Sequence, residues 1–295
     1  EKVMSKGLLD PKVDFVFKNI FGSPNHPEIL ISFLNATLKA KKKIVNVDIK
    51  KTDIEKQYIE DKYSRLDVKA TTSNDEIINI EIQLKNENNM VKRSLYYLSK
   101  MYEEQLNEKE DYSKLVRTVC INILNFKYLK TDNFHTGYRF KEIESNEELT
   151  DIMEVHFIEI PKLQDSSDEK DMLVAWTEFL KDPESEKVRG LELSIEEIRQ
   201  AKDELIRMSN DSTQRELYDM RANSLRDKMS ELNAAERKGI EKGREEGREE
   251  GRKEGIEEGR KEEKIEIARN MKLSGIDTNT IAKITNLSED EIDKL

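Results

Sequence analysis

Residues 65–83 read RLDVKATTSNDEIINIEIQ. Two alternating runs, 65–71 and 76–83, flank the polar stretch Thr72-Ser73-Asn74-Asp75. Alternation with a two-residue period predicts strands, and a polar break between two such runs predicts a hairpin. On the second strand Ile78, Ile80 and Ile82 share one face, which leaves Asn79, Glu81 and Gln83 on the other. On the first, Leu66, Val68 and Ala70 point inward while Asp67 and Lys69 take the opposite face. A hairpin symmetric about Asn74 pairs residues whose numbers add to 148, so Asp67 is expected opposite Glu81. Their Cβ atoms would stand about 5 Å apart. Facing carboxylates repel unless a positive charge lies between them, and a divalent cation with oxygen ligands fits that role. Such an ion polarises phosphate and generates hydroxide near neutral pH. Gln83, two residues beyond Glu81 on the same face, is placed to orient a water. The same pattern also suits an ordinary solvated strand face, and a bulge would break the register.

Outward from this hairpin, residues 14–40 carry helical apolar spacing, interrupted at Gly22-Ser23-Pro24-Asn25, which predicts two helices. Residues 44–52 and 152–160 alternate as strands, 117–126 are almost continuously apolar as in a buried strand, and 88–107 read as helix. Trp176, Phe179 and Leu180 lie on a further short helix. Strands interleaved with helices imply an α/β domain ending near residue 190. Residues 194–270 lack proline and are rich in Glu, Lys and Arg, which predicts one or two long helices. Within them Gly239, Gly243, Gly247, Gly251, Gly255 and Gly259 recur every four residues.

The chain of 295 residues is 36% hydrophobic and 38% charged, too polar for one uniform globule. Its net charge of −11 argues against generic polyanion binding. The average conceals a mildly basic front and an acidic back, since residues 1–130 hold 23 Lys and Arg against 19 Asp and Glu. One cysteine, Cys120, excludes an intrachain disulfide and suits a reducing compartment. No signal-peptide core and no apolar run of membrane-spanning length occurs, so a cytoplasmic protein without a membrane partner is expected. His26, His135 and His156 lie in unrelated segments and suggest neither a zinc site nor a triad, and no phosphate-binding loop is present.

The segments LLDPKVDFVFKNIFG, DKYSRLDVKATTSNDEIINIEIQ and KRSLYYLSKMYEEQL resemble the Rpn family of recombination-promoting nucleases, also described as PD-(D/E)XK nuclease family transposases. INILNF, VHFIEIPKL and AWTEFL look like the same family's later elements, and the charged, glycine-rich tail resembles tails common in it. The resemblance implies an α/β, restriction-endonuclease-like (PD-(D/E)XK) core with a long C-terminal helical extension. It also implies a divalent-metal-dependent DNA endonuclease linked to recombination or mobile elements, with Mg²⁺ as cofactor, or Ca²⁺ or Mn²⁺ in its place. Carried over by position, Asp67 matches the motif's Asp and Glu81 its second acid. Gln83 stands where the wider superfamily has Lys, an E-x-Q form usual in the Rpn family that offers hydrogen bonds but no charge. Asp14 matches the family's D-x-x-FK opening, as a further ligand or as a helix cap. Lys18 and Arg93 are expected to contact phosphate or to stand as solvated charges. Tyr96 and Tyr97 are expected in the core, with a place at the border of the site as the alternative.

These readings give a nuclease-like domain at 1–190, a charged helical segment at 191–264 and a helix-turn-helix-like end at 265–295. A step of four residues turns a helix by about 400°, so the glycine stripe drifts about 40° per repeat. Each glycine costs about 1 kcal/mol of helix stability relative to Ala, which favours pairing with a second chain, while a mobile charged spacer is the other reading. In the terminal segment Ser288 and Glu291 form a capping-box pattern. The would-be recognition helix opens Glu289-Asp290-Glu291, and these acids suit a cap or protein contact better than a DNA groove. DNA and a second copy of the chain are the expected partners. A non-catalytic DNA-binding or assembly protein on a nuclease-like fold is the alternative.

Overall fold

A computed structural model describes residues 7–50, 68–168 and 170–295. Two short helices, α1 (Asp14–Phe21) and α2 (Pro27–Leu38), precede β1 (Val47–Ile49). The hairpin follows as β2 (Val68–Thr72) and β3 (Ile77–Gln83), then α3 (Met90–Glu103) and β4 (Thr118–Leu124). A second hairpin, β5 (His135–Lys141) and β6 (Glu148–Glu159), leads to α4 (Met172–Lys181), α5 (Glu186–Glu192) and α6 (Glu196–Asn210). The strands form one six-stranded sheet in the order β1-β2-β3-β4-β6-β5. β3, β4 and β6 run parallel to one another, and antiparallel pairings flank them on both sides, β1 and β2 beyond β3 and β5 beyond β6. The fold is α/β with the helical extension expected from sequence.

Layering follows from alternation. Ile78, Ile80 and Ile82 join Val119, Ile121 and Ile123 in a core filled from above by Phe17, Phe21, Phe33, Trp176 and Phe179. Burying one such side chain is worth about 1.5–3 kcal/mol. The Trp176 indole N–H donates to Ser32 Oγ at 3.1 Å, which satisfies its one polar atom. On the other face α3, the crossover between parallel β3 and β4, sets Met90, Tyr97, Leu98 and Met101 against Cys120, Leu124, Val155 and Phe157. Both faces of β3 are therefore covered.

Two features of the strands depart from the sequence reading. Of the expected strand 44–52, β1 takes only three of the described residues, and 51 and 52 lie outside them. β5 was not expected at all: it is an edge strand whose side chains are mostly exposed, so its sequence HTGYRFK carries no apolar period. The first compact unit runs to Leu225, past the composition break near residue 190. Beyond that break α6 places Ile198, Ala201, Leu205 and Met208 in the core, at helical spacing inside an otherwise charged stretch.

α7 (Ser212–Leu273) begins in this unit, where the Asp10 N–H donates to Tyr218 Oη at 3.3 Å. The second unit, Arg226–Leu295, holds the rest of α7 with α8 (Thr278–Thr285) and α9 (Glu289–Asp293). Gly275, at φ +80°, ends α7 in the left-handed conformation that glycine adopts without strain. Ala268, Ile281, Leu287 and Ile292 make a small core there. The capping box of Ser288 and Glu291 is formed. The six stepped glycines lie in α7, and among the described residues an added Cβ at each would meet nothing within 4 Å beyond the helix's own backbone.

Candidate active site

β2 pairs with β3 in the register Val68↔Ile80, Lys69↔Asn79, Ala70↔Ile78, Thr71↔Ile77. Those numbers all add to 148, as the symmetric hairpin requires. Asp67, the next residue, lies outside the described residues. Glu81 and Asn79 leave β3 on the side away from the isoleucine core. That side is not solvated: α3 lies over it, and Glu81 is 2% and Asn79 1% exposed. Gln83 is half-buried at the strand's end, where its carbonyl accepts from Asn125 N–H at 2.9 Å.

A carboxylate so buried must be compensated. Arg93 Nε, from the first turn of α3, donates to Glu81 Oε2 at 3.2 Å. Its guanidinium carbon lies 5.1 Å from the ring centroid of Tyr97, one helical turn on. Arg93 is thus a partner of the acid rather than a solvated charge. Burial pushes the Glu81 pKa up, the charge and hydrogen bond of Arg93 pull it down, and burial wins. Among the described residues Glu81 Oε1 has no hydrogen-bond partner, and the same holds for Asn79 Oδ1 and Arg93 Nη2. Ser94 Oγ lies 2.8 Å from Asn122 Oδ1, and Asn122 Nδ2 donates to the His156 carbonyl at 3.1 Å, so this next polar pair is satisfied. Cys120, in register with Asn79, is buried, and both its burial and the Glu81 charge push the thiol's pKa up.

The remaining candidates separate. Asp14 opens α1, where its Oδ1 accepts from Phe15 N–H at 2.7 Å and its Oδ2 pairs with Arg221 Nη1 of α7 at 2.7 Å, tying the two helices together. Lys18 sits half-buried in the last turn of α1. There Gly22 lets the helix end approach β2: an added Cβ would meet Lys18 O at 2.7 Å and Val68 Cγ2 at 3.3 Å. Tyr97 is buried in the α3 layer and Tyr96 is exposed beside it, their rings 5.7 Å apart.

The histidines held more than their spacing suggested. On the opposite face of the sheet, His135 Nε2 meets His156 Nδ1 at 2.9 Å with the rings stacked. His156 Nε2 meets Glu154, which also pairs with Arg117 and Arg139, and Arg117 reaches on to Glu76. The β5–β6 register, Gly137↔His156, makes this contact, and Gly137 has no side chain to displace the imidazole. No sequence signal pointed to it, because β5 itself was unread. Among the described residues no three or more His, Cys, Asp or Glu side chains gather as a metal-holding group.

Two family descriptions match the chain. The first, PD-(D/E)XK nuclease family transposase, covers residues 11–235 and so includes the whole sheet. The chain belongs to this family. The second, the C-terminal HTH domain of the Rpn/YhgA-like nuclease family, covers residues 261–295, the segment built from the end of α7, α8 and α9. Comparison with curated proteins and with solved structures gave no match. Among the described residues no helix is long and apolar enough to cross a membrane. PD-(D/E)XK nucleases generally use divalent cations. A buried carboxylate oxygen with no donor among the described residues, as at Glu81 Oε1, is a hard, anionic ligand, and it fits such an ion.

Proposed function

We propose that this PD-(D/E)XK chain hydrolyses phosphodiester bonds in DNA with the help of a divalent cation, in the context of recombination or mobile elements. One observation carries the reading. Glu81 is held inside the protein with one oxygen on Arg93 and the other without a partner among the described residues, and burial outweighs Arg93 in setting its pKa. A fully compensated structural ion pair would leave no such deficit.

Glu81 and Asp67 would hold the cation, Mg²⁺ or another hard divalent ion, which supplies Lewis acidity and an activated water when bound. Gln83 would orient that water by its amide. Arg93 Nη2, buried without a partner among the described residues, would donate to a phosphate oxygen, and Lys18 would add charge from the end of α1. Asp14, engaged by Arg221, would act by position rather than as a ligand. Tyr97 would keep the Arg93 guanidinium in place. The HTH segment would bring the chain to DNA, and the glycine-stepped part of α7 would pair two chains.

Nicking of supercoiled plasmid by the full chain, with and without Mg²⁺, tests this. Cation-dependent nicking that Asp67→Ala and Glu81→Gln both abolish is the expected result. DNA binding in a gel shift without any nicking would instead favour a non-catalytic DNA-binding protein.

A further inference from the structure

Asn79 was not among the residues read as functional. It precedes Glu81 by two positions, so both side chains leave β3 on the α3 side, their origins about 6–7 Å apart along the strand. It is 1% exposed, and its Oδ1 finds no donor among the described residues. An amide oxygen stripped of water without a replacement destabilises the fold, and an apolar residue of the same size would avoid that cost.

Its register neighbours do not supply the donor. On β4 lies Cys120, a weak donor. On β2 lies Lys69, whose Nζ stands 4.0 Å from Glu104 Oε2. The next polar group along β3, Glu81 Oε1, is itself an acceptor without a donor among the described residues. Two buried acceptors on one face, each without a donor among the described residues, are satisfied together by a cation. Neutral amide oxygens serve as ligands to hard divalent ions alongside carboxylates. An Asn oxygen also adds a ligand without adding negative charge to a site already short of compensation.

We infer that Asn79 is an oxygen ligand of the divalent cation held by Glu81. This rests on the cation site proposed above. It predicts that position 79 trades cation-free stability for cation affinity, an exchange that a purely structural asparagine would not show.

The test uses the full chain, Mn²⁺ alone as probe, and two readouts: calorimetric Mn²⁺ affinity and the cation-free melting temperature. Asn79→Leu should lower Mn²⁺ affinity about tenfold or more while raising the cation-free melting temperature. Asn79→Asp should keep or tighten Mn²⁺ binding and lower the cation-free melting temperature. Mn²⁺ affinity in Asn79→Leu within about threefold of the parent chain's would overturn the assignment, leaving water or the Glu81 carboxylate as the partner of the amide. Glu81→Gln separates the two levels. Binding lost in Glu81→Gln but kept in Asn79→Leu refutes Asn79 alone. A parent chain that binds no Mn²⁺, or binding that survives Glu81→Gln, refutes the cation site and Asn79 with it.

Discussion

Arg93 reaches from the first turn of α3 to Glu81 on β3, Nε to Oε2 at 3.2 Å, and so joins a helix to the strand beneath it through one buried ion pair. Removing one partner of such a pair leaves the other charge uncompensated, which costs about 3–5 kcal/mol. Arg93→Ala should therefore lower the urea midpoint sharply, and adding Glu81→Gln to it should restore most of the loss. If a cation also sits on Glu81, Mg²⁺ should rescue Arg93→Ala more than the parent chain. Equal Mg²⁺ effects on the two proteins would argue against an ion at Glu81.

The same pair alters what carboxylate removal should do. The sequence alone suggests that deleting either acid merely relieves repulsion. Glu81→Ala, however, strands Arg93 inside the protein, so Glu81→Gln is the cleaner variant. Asp67→Ala and Glu81→Gln should abolish nicking, whereas Gln83→Ala should slow it about tenfold, the worth of one hydrogen bond. Circular dichroism melts within a few degrees of the parent for Asp67→Ala and Gln83→Ala, and a native spectrum at the assay temperature for Glu81→Gln, would show that the losses are chemical. Robust nicking by Asp67→Ala would remove that residue from the site.

Acid should loosen the sheet in two stages. Burial, His156 and Lys39 together lower the His135 pKa from 6.5 to about 4, against the opposing charges of Asp171 and Glu154. Burial pushes Glu154 up, but hydrogen bonds from His156, Arg139 and Arg117 outweigh it and bring it from 4.5 to about 2. Both groups bind protons more readily when unfolded, so each contributes stability that is fully present above its unfolded pKa and lost as pH falls. The first window runs from about pH 6.5 to 4 and the second from about 4.5 to 2. Urea midpoints at half-unit steps should fall through the first window, and His135→Phe should flatten that part of the curve. A midpoint independent of pH between 6.5 and 4 would contradict the assignment.

The glycine-stepped part of α7 gives opposite predictions for its two readings. Each Gly→Ala change meets no obstacle among the described residues and should stabilise an isolated helix by about 1 kcal/mol. A seam between two chains would be spoiled by the larger Leu at Gly243, Gly247 and Gly251. We expect the full chain to sediment as a dimer at micromolar concentration, and the triple Leu variant as a monomer. A parent chain that runs as a monomer would make this stretch a spacer.

Much of the architecture was legible because it rests on strict alternation. The three isoleucines of β3 fixed its core face, and the polar turn fixed the register seen at Val68↔Ile80. What escaped depended on partners far along the chain. β5 has no apolar period because one edge and most of its side chains meet solvent. His135 and His156 meet only because β5 pairs with β6, so missing the strand meant missing the pair. Glu81 was read on the correct face, but its burial could not be seen without α3 folding back over β3. α6 lies in the stretch read as helix, but its packing was hidden by charge, its four core residues diluted among Glu, Lys and Arg.

The lone cysteine gives the site its own reporter. Cys120 stands beside Asn79 under α3, sealed from solvent, with its thiol held in the unreactive protonated form. A thiol reagent can reach it only when α3 lifts away. The rate of labelling in native buffer therefore measures how often the layer over Glu81 opens. Because no other thiol competes, that clock can be read on the unaltered chain, and any ligand that fastens α3 down should slow it.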